Sequence, residues 1–219
     1  MPVSKDWIRA DWPAPGNILA GTTTRLNEAF AFPAEPQWLN QVHGRRVVRA
    51  GSPDFDAGPP AADAIVADRP GEICVVRTAD CLPILLCSTD GTEIAAVHGG
   101  WRGLAAGIVE ATVEAMRTKA SDLIVWFGPA ISQAAFEVGA EVRDKFLADD
   151  KAAAAAFVVN ERGRWQADLV LLGRQRLGNV GVTAIYGGGL CTYQDEERFF
   201  SYRRDGATGR LFSFVYRSR

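Results

Sequence analysis

The sequence predicts an α+β fold with mixed or antiparallel sheets. Strand-like apolar runs cluster in the first half of the 219-residue chain, whereas the clearest helical periodicity follows residue 98. The regular strand–helix alternation of a parallel βαβ sheet is missing. No low-complexity stretch or long linker divides the sequence, so we expect residues 1–219 to form one domain.

Six short runs in the first half have the composition of β-strands, and turn residues separate most of them. They cover residues 17–24, 46–50, 64–67, 72–77, 83–87 and 93–98. The last run contains Ala95-Ala96-Val97 immediately before His98. An apolar run of this kind is typical of a buried strand, so His98 is predicted to lie at a strand end, where ligand sites of layered folds often occur.

One helix is predicted directly after this strand, because Leu104, Ile108, Ala111 and Ala115 share a face at three- and four-residue spacing. The rest of the second half is predicted as a buried strand at 123–127, helices at 141–147 and about 167–177, a strand at 182–186, and a C-terminal hairpin formed by 199–202 and 211–215. The alanine-rich run 151–157 fits either a helical extension or a solvated connection.

Composition and charge narrow the class of protein. Hydrophobic residues make up 47% and charged residues 23% of the chain, which favours a folded core over disorder. The net charge is −2 and the arginines are scattered, so neither a nucleic-acid surface nor a membrane patch is indicated. Charged residues such as Lys5, Asp6 and Arg9 interrupt the N-terminal segment, so no signal peptide and a cytoplasmic location are expected.

The four cysteines show no dense disulfide pattern, which fits reduced thiols. Cys74 and Cys87 lie inside apolar runs and are expected in the core, and Cys191 has no histidine near it in sequence. Cys81 differs, because it stands in Thr78-Ala79-Asp80-Cys81-Leu82-Pro83, between two apolar runs. A buried core thiol and a reactive or ligating thiol remain alternative interpretations of Cys81.

The chain has two histidines, and both lie beside glycine: His43 precedes Gly44, and His98 precedes Gly99-Gly100-Trp101-Arg102-Gly103. Two imidazoles and the Cys81 thiolate would suit a borderline metal such as Zn²⁺ and leave a fourth position open. The spacing of the three residues matches no short zinc-finger pattern. Their convergence in space is therefore a hypothesis.

Other residues near these motifs are candidates for supporting roles. Arg102 follows the Gly99-Gly100 turn at a predicted helix start, where it would either bind an anion or serve an ordinary structural role. Gln41 would share a face of an extended segment with His43, making substrate contact and simple exposure comparable alternatives.

Two aspartates are candidates for holding the ligands in place. Asp63 and Asp80 would each either orient a neighbouring imidazole or cap a turn. The sequence alone leaves both alternatives open for both residues.

These motifs resemble the YfiH-like, polyphenol oxidase laccase-domain family, which is also described as purine nucleoside phosphorylase-like and as a peptidoglycan editing factor family. The matching segments are 41–44, 62–64, 78–83, 96–103, 128–131, 136–139 and 199–209. The resemblance implies an α/β/β/α layered fold and a metal site at His43, Cys81 and His98. Arg25 retains the family's Thr-Arg pair and is a candidate substrate-binding residue, but Leu26-Asn27-Glu28 departs from the family's Gly-Gly-Val-Ser-like turn.

The activity implied by the resemblance is phosphorolysis of adenosine, inosine or S-methyl-5′-thioadenosine, with some adenosine deamination. Nucleoside and phosphate are then the partners, Zn²⁺ is the cofactor with Cu²⁺ as the alternative, and the protein is a monomer or homodimer. Two histidines are too few for a set of copper centres, so copper-dependent polyphenol oxidation would use one site only.

Two further readings stay open. A metal-free Cys81–His98 pair would serve a hydrolase or amidase that edits peptidoglycan precursors. A purely structural metal site ranks last, because closed structural zinc sites usually have four protein ligands.

Overall fold

The computed structural model describes residues 7–26 and 30–218. The strands in these ranges are β1 (Trp7–Arg9), β2 (Ile18–Thr23), β3 (Val47–Arg49), β4 (Ala64–Ala67), β5 (Ile73–Thr78), β6 (Leu82–Ser88), β7 (Ile94–Gly99), β8 (Leu123–Phe127), β9 (Glu137–Val138), β10 (Phe157–Val159), β11 (Trp165–Ala167), β12 (Ala184–Gly187) and β13 (Leu211–Arg217). The helices are α1 (Trp101–Ala106), α2 (Ile108–Ala115), α3 (Ala140–Leu147), α4 (Leu169–Asn179) and α5 (Tyr202–Asp205). Lys5, Asp6, Asn27 and Glu28, which entered the expectations about the N-terminus and the loop after Arg25, lie outside the described residues.

A six-stranded mixed sheet in the order β12-β8-β6-β7-β4-β3 forms the centre of the fold. Its four central strands, β8, β6, β7 and β4, are buried on both faces, which explains their continuous apolar sequences. In β6, Leu82, Ile84 and Leu86 belong to the core on the helical side, while Leu85 and Cys87 belong to the core on the opposite side. The alternation of side chains along the strand therefore divides one apolar run between two cores.

A second, antiparallel sheet in the order β1-β2-β13-β5 packs on the first through β5 and β13. Its outer face carries an aromatic cluster in which Trp7, Phe30, Phe32 and Trp38 surround Phe214 or its neighbour Phe212. Residues 30–38, which contribute Phe30, Phe32 and Trp38 to this cluster, form no helix. The prediction of an α+β fold with mixed and antiparallel sheets is confirmed.

The helices differ from the predicted ones in two respects. The single helix expected after His98 is divided into α1 and α2 by Gly107, whose φ of 89° is incompatible with a continuous α-helix. The helix expected from about residue 167 begins at Leu169, because the Asp168 side chain accepts a hydrogen bond from the Leu171 amide as an N-cap. The alanine run forms a 3-10 helix, Lys151–Ala156. Among the described residues, no helix has the length and apolar character needed to cross a bilayer.

The predicted C-terminal hairpin is wrong. Residues 211–217 do form a strand, but β13 pairs with β2 and β5 rather than with residues 199–202. The Ser201 side chain instead accepts a hydrogen bond from the Arg204 amide and caps α5. The turn residues at 203–209 suggested a local partner for β13. The strand instead forms its backbone hydrogen bonds with two strands that are distant in sequence.

Leu85→Ala should lower the free energy of unfolding substantially, because Leu85 packs in the core between the two sheets. Leu85 is fully buried, and its truncation would leave a cavity costing about 2–5 kcal/mol. Chemical denaturation should show this loss, whereas Val158→Ala at a half-exposed position should change stability by less than about 0.5 kcal/mol. Equal effects for the two variants would contradict this account of the core.

Candidate metal and substrate site

The three predicted ligand residues converge at one end of the paired central strands β6 and β7. His98 lies in β7, Cys81 immediately precedes the paired strand β6, and His43 comes from the loop before β3. One ligand atom from each residue lies within 4.8 Å of the other two, and Cys81 Sγ is 3.9 Å from His43 Nε2. His98 is buried, Cys81 is half-buried and His43 is exposed, so the cluster opens toward solvent on one side.

Asp63 holds both histidine-bearing segments. Its carboxylate is fully buried and accepts hydrogen bonds from His98 Nδ1 at 2.8 Å and from the backbone amides of Val42, His43 and Gly44. His43 has a φ of 59°, which is uncommon for a residue other than glycine, and the amide contacts stabilise this conformation. Because Asp63 takes Nδ1, the Nε2 atom of His98 is directed to the cluster.

Glycines allow the segments that carry His43, Cys81 and His98 to approach one another closely. A Cβ atom at position 100 would lie 2.8 Å from His43 Cδ2 and 3.2 Å from Cys81 Sγ. At positions 99 and 103 it would lie 2.7 Å from the Leu82 carbonyl oxygen and 2.9 Å from the Gly44 carbonyl oxygen. The glycines that flank Trp101-Arg102 are therefore required by close approach.

The cluster has a charged pair in the absence of metal. Burial raises the pKa of the Cys81 thiol, but hydrogen bonds with His43 and His98 outweigh burial and lower it to about 6. Burial likewise opposes protonation of His98, but its hydrogen bonds to Asp63 and Cys81 raise its pKa to about 9. The Asp63 pKa is lowered, since hydrogen bonds from His98 and Gly44 outweigh its burial. Near neutral pH these shifts favour a thiolate beside an imidazolium.

The cluster lies in a cavity of about 720 Å³. Trp101, Phe136 and Tyr202 supply aromatic surfaces to its lining. Four arginines also line it: Arg77, Arg102, Arg203 and Arg210. Among the described residues none of the four pairs with a carboxylate, and Arg102 lies over the Trp101 ring at 4.5 Å. The cavity therefore combines flat apolar surfaces with a cationic lining.

The residues predicted to support the ligands or bind substrate differ in where the structure places them. Gln41 lines the cavity, but its side-chain amide exchanges two hydrogen bonds with the backbone of Arg77. Arg25 is absent from the described cavity lining and instead donates to the Glu196 carbonyl oxygen and lies over Phe200. Asp80 hydrogen-bonds to Thr192 and to the Arg203 amide rather than to an imidazole, so of the two aspartates only Asp63 has the orienting geometry.

Sequence reasoning missed several residues that line the cavity. Phe136 and Ile131 lie in segments that carry the family resemblance, so the motifs contained a usable signal. Tyr202 and Arg203 also lie in such a segment, but the hairpin predicted there, with Tyr202 in a strand and Arg203 in the connection, hid their place in the cavity wall. Arg210 stands outside the quoted motifs and had no signal.

The remaining cysteines match the sequence prediction. All four cysteines are free, and Cys74 and Cys87 are buried in the core. Cys191 Sγ donates to Ser132 Oγ at 3.0 Å and lies outside the described cavity lining.

Comparison with known proteins identifies the family. Residues 17–218 match the family described as multi-copper polyphenol oxidoreductase laccase. The chain belongs to this family. It is 50% identical to purine nucleoside phosphorylase YfiH of Shigella flexneri over 88% of this chain and 78% of that protein. A purine nucleoside phosphorylase of Pseudomonas aeruginosa is 43% identical over 96% of this chain and 98% of its own.

Solved structures agree with the fold. A Neisseria meningitidis protein superposes with a TM-score of 0.93 at 38% identity, covering 98% of this chain and 100% of the other. YlmD from Geobacillus stearothermophilus has a TM-score of 0.85 at 26% identity, with 100% and 98% coverage. The predicted family is confirmed, and the prediction of an enzyme is confirmed by relatives that are named as phosphorylases.

Gly100→Ala should weaken the binding of added zinc, used as the probe ion for the cluster, because the new methyl group would displace His43 or Cys81. We expect a loss of about 10–100-fold in zinc affinity, the scale found when the orientation of metal ligands is disturbed. Competition with a zinc chelator measures it. Gly178→Ala is the matched control, since nothing lies within 4 Å of its added Cβ. Unchanged zinc affinity in Gly100→Ala would contradict the described approach.

In metal-free protein, alkylation of Cys81 by iodoacetamide should have a pH midpoint near 6, because the thiolate is the nucleophile. The reactive thiolate is present above the midpoint and is lost as the pH falls through it. Mass spectrometry of the Cys81 peptide reports the rate. Cys87 serves as the internal control, since burial raises its pKa to about 12. A Cys81 midpoint near the ordinary thiol value of about 8.5 would refute the pairing.

Proposed function

We propose that this protein is a zinc-dependent purine nucleoside phosphorylase acting on adenosine, inosine and S-methyl-5′-thioadenosine, with adenosine deaminase activity. The observation that carries the proposal is the three-residue cluster of His43, Cys81 and His98 opening into a cavity lined by arginines. The phosphorylase names of relatives at 43–50% identity support it. A single domain, a cytoplasmic location and a monomeric or homodimeric state belong to the same proposal.

The cavity suits the two proposed substrates together. Its volume of about 720 Å³ falls within the usual range for small-molecule sites. Trp101, Phe136 and Tyr202 offer aromatic surfaces against which a purine can pack. The guanidinium groups, with Arg102 as the first candidate, suit a phosphate dianion because they donate paired hydrogen bonds to its oxygens.

In phosphorolysis, a phosphate oxygen forms a bond to C1′ of the ribose while the bond from C1′ to the purine nitrogen breaks. The electron pair of that bond leaves with the purine, which takes up a proton, and ribose 1-phosphate is the second product. The arginines would hold the phosphate against C1′, a contribution of position and charge. Because phosphate attacks C1′ directly, the reaction requires no covalent bond between the substrate and a residue of the chain.

The residues fit a zinc ion. Two imidazole nitrogens and a thiolate form a three-ligand set with an open position, and Gly100 leaves room where a Cβ would intrude. When bound there, zinc supplies a Lewis acid and an activated water, the chemistry that adenosine deamination requires. Asp63 fixes His98 by its Nδ1 contact, and the Cys81 thiolate balances part of the metal charge.

The laccase name of the family is compatible with this proposal only as a side activity. The chain has two histidines, and multicopper oxidation needs several centres whose chief ligand is imidazole. Cu²⁺ suits the same His–Cys–His set and would give weak polyphenol oxidation at one site. We therefore treat copper as the alternative metal.

One observation favours a second candidate function. The low pKa of Cys81 and the raised pKa of His98 describe a nucleophile beside a proton donor. A metal-free hydrolase or amidase that edits peptidoglycan precursors would use such a pair. Metal dependence separates this candidate from the phosphorylase.

We expect purified protein to release adenine and ribose 1-phosphate from adenosine only when inorganic phosphate is supplied, as measured by chromatography. Removing metal with a chelator should abolish the activity, zinc should restore it, and elemental analysis should find about one tightly bound metal per chain. Cys81→Ser should lose metal and activity together. Cys191→Ser makes the same change outside the described cavity lining and should retain both.

The phosphate site has its own variants within this experiment. Arg102→Ala should raise the KM for phosphate, while Arg143→Ala, which removes an arginine stacked on Trp165 instead, should not. Adenine that forms without phosphate would point to hydrolysis, whereas inosine that forms without phosphate reports the deaminase activity. Several tightly held copper ions with strong oxygen reduction would refute the phosphorylase.

A further inference from the structure

Asp80 stands at the turn immediately before Cys81 in an uncommon backbone conformation. Its φ is 89°, and among the described residues only His43 is another non-glycine residue with a positive φ. Such conformations persist where surrounding contacts hold them, and they concentrate at functional sites. The contacts that stabilise this conformation of Asp80 therefore identify the segments that fix the turn before Cys81.

Three separate segments bind Asp80, which is 8% exposed. Its Oδ1 accepts a hydrogen bond from Thr192 Oγ1 at 2.6 Å, and its Oδ2 accepts one from the Arg203 amide at 2.6 Å. Its backbone oxygen accepts one from the Ile131 amide at 2.9 Å. Both carboxylate oxygens are thus occupied by partners from other segments of the chain.

The Arg203 contact completes the first turn of α5. The Ser201 hydroxyl accepts from the Arg204 amide, and Asp80 accepts from the amide before it. Amides in the first turn of a helix have no partner within the helix, so each needs an outside acceptor. A helix of four residues has little stability of its own, and Asp80 supplies one of the contacts that fix it.

Ile131, Tyr202 and Arg203 all line the cavity, and we call these three residues the substrate wall. We propose that Asp80 is a positioning residue that fixes the substrate wall relative to Cys81. The inference rests on the proposed function, because it makes the substrate wall part of the binding site for the nucleoside and inorganic phosphate. Asp80 acts through the turn and the wall, and its charge takes no part in the reaction.

Two variants separate position from charge. Asp80→Gly accepts the positive φ but loses both side-chain contacts. Asp80→Asn also tolerates this φ, and its amide oxygen accepts from the Arg203 amide while its nitrogen donates to the Thr192 hydroxyl. The asparagine variant therefore keeps the contacts and removes the charge.

The experiment measures backbone amide exchange and steady-state kinetics on the full chain. In Asp80→Gly we expect exchange at the Arg203 amide to rise at least about tenfold, the nucleoside KM to rise about tenfold, and kcat to change less than about threefold. Zinc content should stay at the native level. Asp80→Asn should restore amide protection and most of the KM effect.

Unchanged exchange and KM in Asp80→Gly would overturn the proposal, and so would a defect in Asp80→Asn as large as in Asp80→Gly. If the glycine variant does not fold, Thr192→Val removes the Oδ1 contact alone and should shift exchange and KM in the same direction by a smaller factor; no shift would overturn the proposal. If native protein lacks phosphorolysis, the proposed function fails, while amide exchange still decides whether Asp80 holds the wall.

Discussion

The buried Asp63 carboxylate is the constraint on which the candidate site depends. It joins a strand of the central sheet to the loop that carries His43, because one carboxylate binds the His98 ring and three successive loop amides. A fully buried carboxylate is costly unless it is hydrogen-bonded on all sides, and here the histidine and the loop supply those bonds. These hydrogen bonds offset the desolvation cost of the carboxylate. They also place the His43 and His98 rings edge to face, with ring centres 4.6 Å apart.

The layered sheets give this constraint a rigid support. β7 is the third strand from one edge of the mixed sheet and is covered by helices on one face and by the second sheet on the other. His98 inherits that rigidity, whereas His43 and the substrate wall come from loops and a short helix. The site thus joins one ligand in a sheet strand to surroundings built from loops, a division common in enzymes whose loops carry function on a rigid scaffold.

Much of the fold could be predicted because its strands carry strong local signals. The runs at 64–67, 83–87 and 123–127 are apolar throughout, and each is a buried strand. The division of the helix at Gly107 and the partners of β13 depend on tertiary contacts that no local pattern encodes. The ligand cluster could be proposed from residue chemistry, but the role of Asp63 over Asp80 required the fold, since both aspartates precede apolar strands and look alike in sequence.

The position of β13 has a consequence for how the chain is made. β13 lies between β2 and β5, although both of these strands are synthesised long before it. Until β13 leaves the ribosome, the second sheet is open along two strand edges and the inter-sheet core is exposed on one side. Pairing across such long sequence separations is slow. We therefore expect nascent chains to depend on protection from aggregation until β13 has been made, and truncations that remove β13 to be more damaging than their length suggests.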